Sequence, residues 1–221
     1  MRGRHALTAS MVVGSALLLT LFSLYLQAKA LGRAYIVDYQ IPRHLAMLAG
    51  TAGNPWQYRM LPAWIVEGVE RLFATLHVPQ PLIASFLAVR AAEQTALLAV
   101  AWAYWRRLGL SSALCFCGLA FLGWSVSYAN FDSDFQFNTY FDALFYVLAA
   151  MAVQSGRLAW VLPVTLLAAF NRETSGFVPL LPLAALLTAA PEARSRLVRT
   201  AAIGFAIYLI VFAVLRWSYG P

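Results

Sequence analysis

The chain has 221 residues, of which 62% are hydrophobic and 11% charged, far from the roughly 45 to 50% apolar and 25% charged composition of soluble domains. That composition excludes a soluble fold, which has no interior large enough to hide so much apolar surface. The formal charge of +7 and pI near 9.8 come from arginines scattered between apolar runs, with no basic face or stripe, so nucleic acid is excluded as a partner. The excess is read as membrane topology and contact with lipid phosphate. The expected fold is all-α: a polytopic transmembrane helix bundle forming a single domain over residues 1–221.

Taken from the N-terminus, Met1-Arg-Gly-Arg-His5, an apolar stretch and then Ala28-Lys-Ala30 resemble a secretory signal with a small-x-small cleavage site. The run from Ala6 to Leu26, however, matches the roughly 20 residues that cross a bilayer and exceeds a signal core, which favours an uncleaved first helix. Runs of spanning character fall at 6–30, 82–105, 110–128, 138–154, 158–170, 175–190 and 198–218, giving about seven spans. If each run crosses once, Arg2, Arg4, Arg106, Arg107, Arg157, Arg194, Arg196 and Arg199 share one side. This positive-inside pattern predicts a cytoplasmic N-terminus and an opposite face that is outside or periplasmic.

Residues 31–80 then form an outer loop. Within it, Leu61, Ile65, Val69, Leu72 and Leu76 recur at helical spacing with Glu67, Glu70 and Arg71 between them, as in an interfacial amphipathic helix. Trp56, Tyr58 and Trp64 would lie at headgroup level. Cys115 and Cys117 are two apart on a helical run and point to different faces, so no disulfide joins them. The short fifth and sixth runs flank Asn171-Arg-Glu-Thr-Ser175. They either cross obliquely or dip in as half-helices that meet at a buried polar site.

Polar residues on the outer side are the candidates for chemistry. Asp38 follows the first span and is either a general base for an attacking hydroxyl or a solvated interfacial carboxylate. Asp132 and Asp134 are either helix caps, catalytic carboxylates or weak oxygen ligands for a divalent cation. Asp134, Asn138 and Asp142 recur every four residues and predict one polar stripe, with Asp142 about two turns into the membrane, where an ionisable group usually faces a site or partner. Arg59, beside Tyr58, and Arg172, beside Glu173, are placed to meet an anionic headgroup, since a guanidinium fork binds phosphate bidentately. For Arg59 the alternative is snorkelling to ordinary headgroups, and for Arg172 a salt bridge. Arg90, Glu93 and Gln94 share a face of the second long run, as a structural ion pair or a ligand site. His44 and His77 have no metal-ligand partners at zinc spacing, and no nucleophile elbow or phosphate loop occurs.

This order of features resembles the membrane module of the GT-C glycosyltransferases. The likeness rests on a first span ending near an acidic residue (Asp38), a long outer loop with a juxtamembrane helix (Asn54 to Leu76), and a second acidic loop after the third span (Asp132 and Asp134). The resemblance implies inverting transfer of a sugar from a polyprenyl-phosphate donor to an acceptor at the outer face. Asp38 would be the base, Asp132 or Asp134 would assist or bind a metal, and Arg59 and Arg172 would hold the carrier phosphate. Tyr58, Asn138, Asp142 and Glu173 complete the expected substrate-binding set. Two features depart from the family: many members have more spans and a soluble C-terminal domain, which would make this chain a fragment, a minimal module or half of a complex. Many also show a pair of acidic residues where this chain has Asp38 alone. The rival reading is a non-enzymatic membrane protein: a transporter, a lipid flippase or an envelope-polysaccharide assembly subunit.

Overall fold

The computed structural model describes the backbone of residues 2–129 and 137–220 and the side chains of residues 10–126 and 137–220. Helices and turns account for these residues, with no strand among them. In chain order they are α1 (Arg2–Tyr35), a π-helical stretch (Ile36–Gln40), α2 (Ile41–Leu48), a 3₁₀ turn (Trp56–Tyr58), α3 (Met60–Thr75), α4 (Pro81–Arg107), α5 (Ser112–Ala129) and α6 (Phe137–Gln154). A 3₁₀ turn (Leu158–Trp160) leads to α7 (Val161–Ala169); a 3₁₀ segment (Glu173–Leu180), α8 (Leu181–Ala184) and another 3₁₀ turn (Ala185–Leu187) precede α9 (Pro191–Tyr219).

Three helical stretches are long and apolar enough to cross a membrane: Ser10–Leu48, α4 and α9, with shorter apolar helices at Ser112–Val126, Leu158–Ala169 and Glu173–Leu187. At about 1.5 Å per residue α4, α9 and the part of the first stretch before the kink at Gly32 (φ 72°) each exceed the roughly 30 Å hydrocarbon core. Their side chains are distributed inside out relative to a soluble helix. α1 buries Thr20, Ser23 and Gln27 while exposing Leu17, Leu18, Leu21 and Phe22. α9 likewise leaves Ile203, Phe205, Leu209, Ile210 and Val214 exposed. Contiguous apolar surface on this scale requires a lipid or protein environment.

The helices stop by a shared device. Gly50, Gly109 and Gly156 each adopt positive φ (69°, 86° and 68°) just past a helix. At each stop the amide of that glycine returns to the carbonyl three residues back, and the next amide to the carbonyl five residues before it, as in Gly156 N–H to Val153 O and Arg157 N–H to Ala152 O. This is the Schellman arrangement, which satisfies carbonyls that a helix end would leave bare. α3 ends the same way, with His77 at φ 56° in the place glycine normally takes.

The chain divides into two compact units: Met1–His44 with Ile65–Tyr140, and Leu45–Trp64 with Phe141–Pro221. In the first unit α1, α4 and α5 pack mutually around Val12, Ala16, Leu98, Trp102, Cys115 and Leu119. Cys115 is buried in this core and Cys117 is exposed, so the two thiols are free on opposite faces. A Thr95 hydroxyl donates to that of Thr20 at 3.2 Å across the α1–α4 contact. In the second unit α9 is the axis, packing on α7, α8 and the 173–180 segment. It buries Leu197, Ala201, Gly204, Val211 and Leu215, at spacings of four, three, seven and four that keep to one helix seam. A Cβ at Gly204 would lie 2.8 Å from Pro179 Cβ, so only glycine permits this approach.

Candidate functional site

The richest polar cluster of the second unit gathers where the helical run breaks between α7 and the 173–180 segment. Pro179 lacks an amide proton and disfavours a regular α-helix through the 173–180 segment, while Pro182 stands in the first turn of α8, where proline is tolerated. Asn171 and Ser175 are fully buried in the break, and Arg172 takes extended backbone geometry. Leu61 N–H donates to Phe170 O at 3.0 Å, covering a carbonyl at the end of α7.

From the Trp56–Tyr58 turn, Arg59 reaches this break and pairs with Glu173, Nη2 to Oε2 at 3.1 Å, with side-chain exposures of 11% and 28%. The guanidinium lies 5.0 Å from the Trp56 ring centroid. Arg216 of α9 lies over the Tyr58 ring at 4.6 Å and the Phe212 ring at 4.8 Å. The Tyr58 hydroxyl, receiving Gln57 Nε2 at 2.8 Å, donates to Gly220 O at 2.6 Å. Tyr208 donates to Glu173 O at 2.8 Å. Nε of Arg59, Nε of Arg216 and Oε1 of Glu173 are buried with no hydrogen-bond partner among the described residues. Two guanidinium groups thus lie on aromatic faces, and among the described residues only that of Arg59 is ion-paired, to Glu173, leaving donor capacity to spare, the electrostatic condition for holding an anion.

α6 anchors the other side of the break. Asp142 accepts from the Thr174 hydroxyl at 2.7 Å and the Ser175 hydroxyl at 3.1 Å, one on each carboxylate oxygen. Tyr146, one turn along, donates to Thr174 O at 2.6 Å. Asp142 and Tyr146 together clamp residues 174 and 175.

The first unit holds a different cluster. Arg90, Glu93 and Gln94, the face expected from their spacing, are 1%, 3% and 1% exposed on α4. Arg90 Nη1 donates to Gln94 Oε1 at 3.0 Å, Nη2 donates to the Tyr140 hydroxyl, and the guanidinium lies against the Tyr140 ring. Both oxygens of Glu93 are buried without a hydrogen-bond partner among the described residues. Asp38 also belongs to this unit, exposed at the centre of the π-helical Ile36–Gln40 stretch, a geometry frequent at functional sites. Asn138 is buried on α6.

Of the expected site residues, the second unit brings together Tyr58, Arg59 and Glu173, with Arg172 next in the chain and Asp142 clamping the same break. Asp38 and Asn138 lie in the first unit, and Asp132 and Asp134 lie outside the described residues. No group of three or more His, Cys, Asp or Glu side chains gathers among the described residues. Sequence reasoning missed Arg216, Tyr208 and Tyr140. Arg216 ends an apolar run, where a basic residue reads as an ordinary helix-end charge, and the two tyrosines are inconspicuous among apolar neighbours. No family model, no curated protein and no solved structure matches the chain.

Proposed function

We propose that the chain is a multi-pass membrane glycosyltransferase, with about seven spans, that transfers a sugar from a polyprenyl-phosphate donor to an acceptor at the outer face. The observation carrying this reading is the excess of guanidinium over carboxylate at the helix break, where Arg59 and Arg216 are fixed on aromatic rings and Arg172 stands next to Glu173, against the two carboxylates of Glu173 and Asp142. A lipid-linked phosphate is the anion that a membrane-embedded site of this charge suits. In the reaction the acceptor oxygen attacks the anomeric carbon, the carbon–oxygen bond to phosphate breaks with its electron pair left on the phosphate, and configuration inverts. Within the second unit, Arg59 and Arg172 hold the phosphate as its charge grows, which contributes positioning and stabilisation of the leaving group; the acceptor proton needs a carboxylate base, for which Asp38 is the candidate by its place after the first span.

The test is release of polyprenyl phosphate from a panel of radiolabelled polyprenyl-phosphate sugars in proteoliposomes. Turnover that Asp38→Asn abolishes without loss of helicity, and for which Arg59→Lys raises KM for the donor, supports the reading. Turnover unchanged by Asp38→Asn removes the base, and no turnover with any donor removes the enzyme. In that event the buried Arg90, Glu93 and Gln94 favour a transporter, since polar groups in the middle of an apolar helix are the usual place for a transported solute or ion.

A further inference from the structure

A cavity of about 670 Å³ opens at the far end of the second unit, between the Gly156–Trp160 turn and the early turns of α9. Its volume falls within the roughly 300 to 1,000 Å³ usual for ligand sites. Arg157, Arg196 and Arg199 line it with Thr200, and no acidic side chain does. None of the three arginines forms an ion pair among the described residues. Glu192, one turn before Arg196, is exposed and forms no ion pair with it among those residues. Arg196 and Arg199 are three apart on α9 and share a face. Arg157 is delivered from a separate segment because Gly156, at φ 68°, turns the chain sharply at the end of α6. The rest of the lining is apolar, with Leu158, Ala159, Leu162 and the 63% exposed Trp160.

We infer that this cavity binds the phosphate of an anionic phospholipid, the three guanidinium groups converging on the headgroup while acyl chains leave over Leu158 and Leu162. Three features of the cavity favour a lipid over a soluble phosphate. The charged groups and an apolar lining share one opening, Trp160 has the amphipathic character of an interfacial anchor, and the arginines belong to the set that the positive-inside pattern assigns to the cytoplasmic, anionic leaflet. The site is separate from the Arg59 cluster: Arg199 and Arg216 are seventeen residues apart on α9, about 25 Å of helix.

The experiment uses the full chain in nanodiscs of phosphatidylcholine with a minority of phosphatidylglycerol, reading lipid retained on the protein by native mass spectrometry. Wild-type protein is expected to retain phosphatidylglycerol selectively. Arg157→Gln, Arg196→Gln and Arg199→Gln combined should cut that retention at least about tenfold, the worth of a single lost charge-assisted contact. A control with Arg106→Gln, Arg107→Gln and Arg194→Gln, which removes equal charge away from the cavity, should retain it. Equal losses in both variants, or none in the cavity variant, overturn the site. Arginine-dependent binding of inorganic phosphate in phosphatidylcholine-only discs, without selectivity for phosphatidylglycerol, overturns the lipid assignment. If circular dichroism shows the triple variant unfolded, Arg199→Gln against Arg106→Gln replaces it, with about a tenfold difference expected and equal retention counting against the site.

Discussion

In the first unit the buried charges sit in the middle of an unbroken helix, whereas in the second they sit where a helical run breaks. Within α4 the backbone amides and carbonyls are consumed by the helix itself, so Arg90 depends on Gln94 and on the Tyr140 side chain fifty residues away. At the break, chain geometry frees backbone acceptors: Glu173 O takes Tyr208 and Thr174 O takes Tyr146. The freed segment also offers hydroxyls to Asp142. An interrupted helix therefore offers free carbonyls and hydroxyls to side chains of other elements, while a continuous one offers side chains alone.

The strongest way to break this contrast is Arg90→Leu, which strips Gln94 and Tyr140 of their donor and leaves Glu93 without a counter-charge. Equilibrium unfolding in mixed micelles should show a loss of about 3 to 5 kcal/mol. Glu93→Gln leaves Arg90 without a carboxylate but keeps its Gln94 and Tyr140 partners, and should cost less, about 1 to 3 kcal/mol; equal losses for the two would mean that mutual charge, and not the hydrogen bonds of Arg90, holds the cluster. At the break, Asp142→Ala should cost about 2 kcal/mol, two hydroxyls losing a charged acceptor. Faster amide exchange should be confined to residues around 171–178, and uniform acceleration across the second unit would show that the clamp holds more than the break. The smallest effect concerns how helices end: His77→Gly should raise stability by about 0.5 kcal/mol, because glycine meets no Cβ penalty at positive φ. A loss instead would reveal a contact of the His77 ring that outweighs its backbone cost.

Much of the architecture was legible because apolar runs and helices respond to the same residues. The run at 110–128 became Ser112–Ala129 and that at 138–154 became Phe137–Gln154. α9 begins seven residues before its apolar run, since Pro191 starts a helix well and the arginines that follow are good helix formers. The break at 171–175 could be read from its polar residues. Its partners could not, because Arg59 and Glu173 are 114 residues apart and no local periodicity encodes such a pairing. His77 shows the converse: a positive-φ stop is anticipated where glycine stands, and nothing in a histidine announces one.

The bond from Tyr58 to Gly220 spans 162 residues, and Tyr219 packs against Gly50 nearby. During synthesis the 45–64 segment leaves the ribosome long before α9 exists to receive it, at about 5 to 20 residues per second. Arg59 and Tyr58 therefore spend several seconds beside the bilayer without Glu173 or the Gly220 carbonyl. The order of emergence means that the Tyr58 and Arg59 contacts of the second unit close only after its later segments have been made.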